Sequence, residues 1–68
     1  MRVTVNGRPT ELAGRVTVAD LVARRVGDPQ RPGVAVALNG RVLPRDAWPG
    51  TELSDGDAVE VLTASQGG

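Results

Sequence analysis

Thr17-Val18-Ala19-Asp20-Leu21-Val22-Ala23-Arg24-Arg25-Val26-Gly27-Asp28-Pro29 decides the fold, because it carries helix signals at both ends. Thr17 can cap the N-terminus. Asp20, three residues on, completes a capping box and places a negative charge at the positive end of the helix dipole. Val18, Leu21, Val22 and Val26 recur at the i, i+3, i+4, i+8 spacing of one buried stripe. Arg24 and Arg25 fall in the last turn, where cations are favoured. Gly27 can take the left-handed position that ends a helix, and Pro29 forbids its continuation. The spacing predicts one short helix over Val18–Val26.

On either side the period changes to two. Arg2 to Asn6 alternates, with Val3 and Val5 on one face and Arg2, Thr4 and Asn6 on the other, as in a half-buried strand. Asn6-Gly7 is a strong hairpin signal, since a type I′ turn needs positive φ at both central residues. A second strand is expected over Thr10 to Leu12, with Pro9 implying an edge position or an irregular start. Beyond the helix, Asp28 to Gly33 reads as a loop and Val34 to Leu38 as a strand with Val34, Val36 and Leu38 facing the core. Asn39-Gly40 gives a second hairpin turn, and Arg41-Val42-Leu43 a short return that Pro44 ends. Arg45 to Gly50 reads as an irregular corner around Trp48. Ser54 to Asp57 is a turn, and Ala58 to Thr63 a last strand with Val59 and Val61 inward. The echo between Val5-Asn6-Gly7-Arg8 and Leu38-Asn39-Gly40-Arg41 is ascribed to shared hairpin chemistry.

A single helix cannot cover both faces of a sheet, so one face packs the helix and the other stays wet. The α+β arrangement that satisfies this order is a β-grasp roll. It is a mixed sheet of four or five strands packed against one helix, with the first and last strands parallel at the centre. Residues 1–63 form the domain and 64–68 a tail.

Composition removes most chemistries. The 68-residue chain has no cysteine, histidine, tyrosine or phenylalanine. Neither a thiolate metal site nor the commonest general base and metal ligand is available, so no catalytic residue and no metal site are expected. Eight basic residues balance eight acidic ones. The basic residues form no long cluster and Trp48 is the sole aromatic, so a nucleic-acid partner is not expected. All eight basic residues are arginine, leaving no side-chain amine to receive an isopeptide bond. The N-terminus lacks the apolar core of a signal peptide and no apolar run nears the ~20 residues of a membrane span. A soluble, cytoplasmic protein without a membrane partner is expected.

The order Val36-Ala37-Leu38-Asn39-Gly40, Leu43-Pro44-Arg45-Asp46-Ala47-Trp48, Asp55-Gly56-Asp57 and a strand running into Gln66-Gly67-Gly68 resembles the ThiS family, the small sulfur carriers of thiamine biosynthesis, which share a ubiquitin-like β-grasp. The resemblance covers the whole chain. It implies that the Gly68 carboxylate is adenylated by a ThiF-like partner enzyme using ATP and magnesium, with no cofactor bound to the carrier itself. Sulfur from a cysteine persulfide then displaces AMP to give a thiocarboxylate, and a ThiG-like thiazole synthase takes the sulfur. Gly67 and Gly68 suit a tail that threads a narrow channel, because a side chain there obstructs close backbone approach. Ala64, Ser65 and Gln66 add reach. Five extended residues span at most roughly 17 Å, and a tail with so little apolar surface is expected to be disordered before binding.

Alternation places Ala35, Ala37 and Leu62 on the wet face, as either a docking surface beside the tail or ordinary exposed aliphatics. Trp48 is a corner packing residue or a ligand platform. Arg45 is a solvated or locally bonded charge, or a contact to a partner. The Asp55/Asp57 pair reads as a turn, since two carboxylates cannot furnish six oxygens for a metal. Alternative functions are a sulfur carrier for molybdopterin, cysteine or a sulfur-containing natural product, a ubiquitin-like modifier, and a non-covalent β-grasp binding module.

Overall fold

Both Asn-Gly pairs reverse the chain in the way their backbone preferences require. Asn6 and Gly7 have φ of 51° and 81°, and Asn39 and Gly40 have 51° and 83°, the left-handed pair of a type I′ turn. In the computed structural model, which describes residues 1–28 and 30–64, these turns join β1 (Arg2–Val5) to β2 (Arg8–Glu11) and β3 (Val34–Leu38) to β4 (Arg41–Leu43). The last strand, β5 (Ala58–Thr63), lies between the two hairpins. The sheet order is β2-β1-β5-β3-β4. β5 runs parallel to β1 and antiparallel to β3, with Thr4 opposite Ala58 and Val34 opposite Thr63.

The second strand starts two residues before the expected Thr10 because the two-residue turn returns the chain at once to Arg8, opposite Val5. Pro9 is accommodated inside it. Its partner Thr4 directs its N–H to Asp57 O on the other side (2.9 Å), so Pro9 occupies a non-hydrogen-bonded pair on an edge strand and its missing donor breaks no ladder bond. Leu12 continues the pairing past the strand end, exchanging backbone bonds with Met1.

The helix α1 (Val18–Val26) has the predicted bounds. The Thr17 N–H donates to Asp20 Oδ2 (3.0 Å) and the Asp20 N–H donates to Thr17 Oγ1 (3.1 Å), so the capping box is complete. At the other end the Gly27 N–H donates to Ala23 O (2.9 Å), while Pro29 lies outside the described residues. Val18, Leu21 and Val22 are buried against Val3, Val5, Val36, Val59 and Val61 of the sheet. Val26, at the end of the stripe, is half-buried.

Two core residues came with no periodic signal. Val16 and Leu53 are buried because residues 16–18 and 51–53 pair in a short bridge, with the Val18 N–H on Thr51 O and the Leu53 N–H on Val16 O, each 2.9 Å. The corner around Trp48 is regular, a 3-10 helix over Arg45–Gly50. Trp48 is 3% exposed and its Nε1–H donates to Leu43 O (2.9 Å). It packs and is satisfied.

Candidate functional site

The fold brings the last described residues to the end of the central strand of the sheet. β5 is the central strand, flanked by β1 and β3, and its last pair is Thr63 opposite Val34. One further backbone bond follows, from the Ala64 N–H to Gly33 O (2.7 Å). Ala64, expected to begin the tail, is therefore still held to the sheet. Ser65, Gln66, Gly67 and Gly68 lie outside the described residues.

Beside this strand end the open face carries the residues that alternation placed there. Ala35 is opposite Leu62 and Ala37 opposite Glu60. Leu62 is 61% exposed and Ala35 exposed, while Ala37 is half-buried. The face also holds Val42, across from Ala37 on β4 and 80% exposed. Among the described residues Val42 and Leu62 are the large apolar side chains left in water. The sequence reading missed Val42, although the pairing of Leu43 with Val36 puts Leu43 on the core face and so turns Val42 outward. Ala35, Ala37, Val42 and Leu62 span β4, β3 and β5, with the carboxylate of Glu60 among them.

Two side-chain amides pin β5 from opposite sides. The Val61 N–H donates to Asn6 Oδ1 (2.9 Å) and Asn6 Nδ2 donates to Val61 O (3.2 Å). Near the strand's start, the Ala58 N–H donates to Asn39 Oδ1 (2.9 Å) and the Asn39 N–H to Ala58 O (2.7 Å). Asn6, Arg25, Val26, Arg31, Val61 and Thr63 line an open cleft of about 500 Å³ at the base of the tail.

The remaining candidates resolve into structural roles. Arg45 Nη2 donates to Arg31 O (2.7 Å), which ties the 3-10 helix to the loop before β3, and its guanidinium carbon lies 4.6 Å from the Trp48 ring centre, a cation–π stack within that helix. Asp55 Oδ1 accepts from the Arg2 N–H (2.7 Å), and Asp57 accepts from the Ser54 N–H (2.8 Å) and from Asn39 Nδ2 (3.1 Å). These carboxylates organise a turn and strand ends. Among the described residues no three acidic, cysteine or histidine groups gather where a metal could sit. The arrangement offers a surface beside the end of the central strand.

Residues 3–68 match the sequence model of the ThiS family. The sulfur carrier protein ThiS of Escherichia coli (strain K12) is 28% identical over 68 residues, covering 100% of both chains. A crystal structure of a thiamine biosynthesis protein (ThiS) from Geobacter metallireducens superposes with a TM-score of 0.77 at 41% identity over 100% of both chains. A solution structure of the Geobacter protein gives the same TM-score and identity, covering 100% of this chain and 88% of that one. The five-stranded sheet with one helix is the β-grasp of these neighbours.

Proposed function

Since this chain belongs to the ThiS family over residues 3–68, we propose that it is a sulfur carrier of thiamine biosynthesis whose reactive group is the Gly68 carboxylate. The observation that carries this reading is the extent of the match: it continues through β5 into Gln66-Gly67-Gly68. The chemistry agrees. A carrier needs no nucleophile or base of its own, and this chain has neither an imidazole nor a thiol.

A carboxylate is a poor electrophile at neutral pH, where an α-carboxyl of pKa ~3.3–3.7 is ionised. A ThiF-like enzyme adenylates it with Mg-ATP, so that AMP becomes the leaving group. The outer sulfur of a cysteine-persulfide donor attacks the acyl carbon and displaces AMP. A thiol then reduces the S–S bond of the resulting acyl disulfide to release the thiocarboxylate, and a ThiG-like thiazole synthase consumes it. Gly67, Gln66 and Ser65 lie in the partner's channel, and Ala35, Ala37, Leu62 and Val42 form the surface on which the partner sits. The working compartment is the cytoplasm, where ATP is supplied; no described helix is long and apolar enough to cross a membrane. The matched relatives are named for thiamine biosynthesis, and no observation favours molybdopterin, cysteine or natural-product sulfur transfer, or a purely non-covalent module.

The test is a mass measurement. Incubation with the cognate adenylating enzyme, Mg-ATP and a sulfur source is expected to exchange one oxygen for sulfur, with fragmentation placing the change on Gly68. A chain that is never adenylated overturns the reading.

A further inference from the structure

Gly33 differs from the other described glycines. At each of the others, a Cβ built on the backbone meets nothing within 4 Å. At Gly33 it meets Ala64 Cβ at 3.2 Å and Ala64 N at 3.9 Å, and the residue has φ of +79°. The Gly33 carbonyl accepts the Ala64 N–H at 2.7 Å. One residue of the loop before β3 thus touches the first residue beyond β5, through its backbone and across the space where a side chain would lie.

We propose that Gly33 is a positioning residue for the sulfur-transfer reaction, holding Ala64 so that the tail leaves the sheet in a fixed direction. The proposal rests on the sulfur-carrier reading. With Ala64 bonded to Gly33, the β3–β5 ladder runs one residue past the Val34–Thr63 pair. Four residues then separate this anchor from the chain end, with an extended reach of at most about 14 Å. Ordering one residue in advance lowers the entropy that the partner complex must remove. It also sets the point from which the reach starts relative to the docking surface around Leu62.

An L-alanine at position 33 disturbs this in two ways. A φ of +79° is strained for any residue with a Cβ, and the new methyl presses Ala64 away, lengthening the bond to its N–H. Gly33→Ala is therefore expected to reduce hydrogen-exchange protection of the Ala64 amide while leaving that of Val61 and Leu62 unchanged. It is expected to raise the KM of the carrier for the adenylating enzyme about five- to tenfold, by the freedom returned to one backbone residue, with a smaller change in kcat.

A second variant removes the bond alone. Chemical synthesis can replace Ala64 with lactate, an ester that keeps the methyl group and lacks the N–H. It is expected to show the same rise in KM with Gly33 intact. If both variants fold and are adenylated with the wild-type KM, or if only Gly33→Ala is impaired, Gly33 does not position the tail. If the wild-type chain itself is not adenylated, the carrier reading fails and takes this role with it. In that case the Ala64 exchange measurement still reports whether the backbone anchor exists.

Discussion

Asn6 and Val61 form a closed ring of two hydrogen bonds in which a side-chain amide stands in for a strand residue. The Val61 N–H donates to Asn6 Oδ1 and Asn6 Nδ2 donates to Val61 O, at 2.9 and 3.2 Å. Asn6 follows the last residue of β1; its backbone N–H still donates to Val59 O (2.9 Å), and its side-chain amide carries the contact with β5 on to Val61 as the chain turns. Asn39 does the same for Ala58 with one side-chain and one backbone bond. The repeated Asn-Gly-Arg triplets thus share more than a turn type: each turn lends its asparagine to the central strand.

Replacing Asn6 with Asp removes the donor and sets a carboxylate against the Val61 carbonyl. A loss of about 1–3 kcal/mol is expected, read as a lower urea midpoint with an unchanged slope. Asn6→Gly keeps the left-handed turn and removes only the ring. If Asn6→Gly is as stable as the wild type, the ring contributes nothing.

Leu21 tests the helix stripe. It is 5% exposed in the core cluster, and Leu21→Ala leaves a cavity expected to cost about 2–5 kcal/mol. That is a large part of the stability of any small domain. Thermal unfolding followed by circular dichroism measures it, and full tolerance of the change means that the stripe does not carry the core.

Local signals made most of this legible in advance. The capping box, the Asn-Gly pairs and the alternating valines are each set by neighbours in sequence, and each appears as read. The parts that escaped depend on contacts distant in sequence. Val16 and Leu53 are buried by a bridge between segments some 35 residues apart, too short for either side to show a period. Val42 sits in a three-residue strand, where alternation has no room to declare itself and only the pairing with β3 fixes the face. Pro9 argued for a later strand start because the sequence cannot reveal which side of the strand its missing donor faces. Nothing in the sequence marks Gly33 as different from the turn glycines; the difference lies in Ala64, 31 positions away, beside it.

The open face yields a paired test. Leu62→Arg and Val42→Arg each place a charge on the face proposed for docking, where a partner seated on it has to desolvate that charge, and both side chains are well exposed, so the fold is expected to survive. Calorimetric titration with the adenylating enzyme is expected to show affinity weakened tenfold or more, on the order of 1.4 kcal/mol or above. Unchanged affinity in folded Leu62→Arg confines this face to ordinary surface. An effect at Leu62 without one at Val42 places the interface edge between β3 and β4.

Asp20 sets an acid limb. Its carboxyl is held below the ordinary value, first by the hydrogen bond from the Thr17 backbone N–H, then by the Thr17 hydroxyl and the Arg24 charge, with desolvation opposing. A folded-state pKa below the unfolded value of about 3.9 means that the stabilisation is fully present above that pH and is lost as pH falls through the folded value. Denaturation followed from about pH 6 to pH 2 is expected to show a shallower acid decline in Asp20→Asn than in the wild type. Parallel declines remove Asp20 from the account.

The chain end separates chemistry from folding. The described core is complete by β5, and among the described residues the Ala64 N–H makes the last backbone bond to the sheet. Deleting Gly68 is therefore expected to leave the melting temperature unchanged while abolishing adenylation, because the carboxylate then falls short by about 3.3–3.6 Å. That distance exceeds what in-line attack on a phosphate tolerates. Adding one residue after Gly68 is expected to block the reaction as completely, by converting the carboxylate into a peptide carbonyl with no oxygen to give up to AMP. The two changes act through opposite alterations of length, so a shared loss of activity with shared stability isolates the position of the carboxyl group itself. Intact-mass spectrometry after incubation with the adenylating enzyme, Mg-ATP and a sulfur source reads all three chains at once. Sulfur gained at Gly68 of the extended chain shows that the terminal carboxylate is not the reactive group.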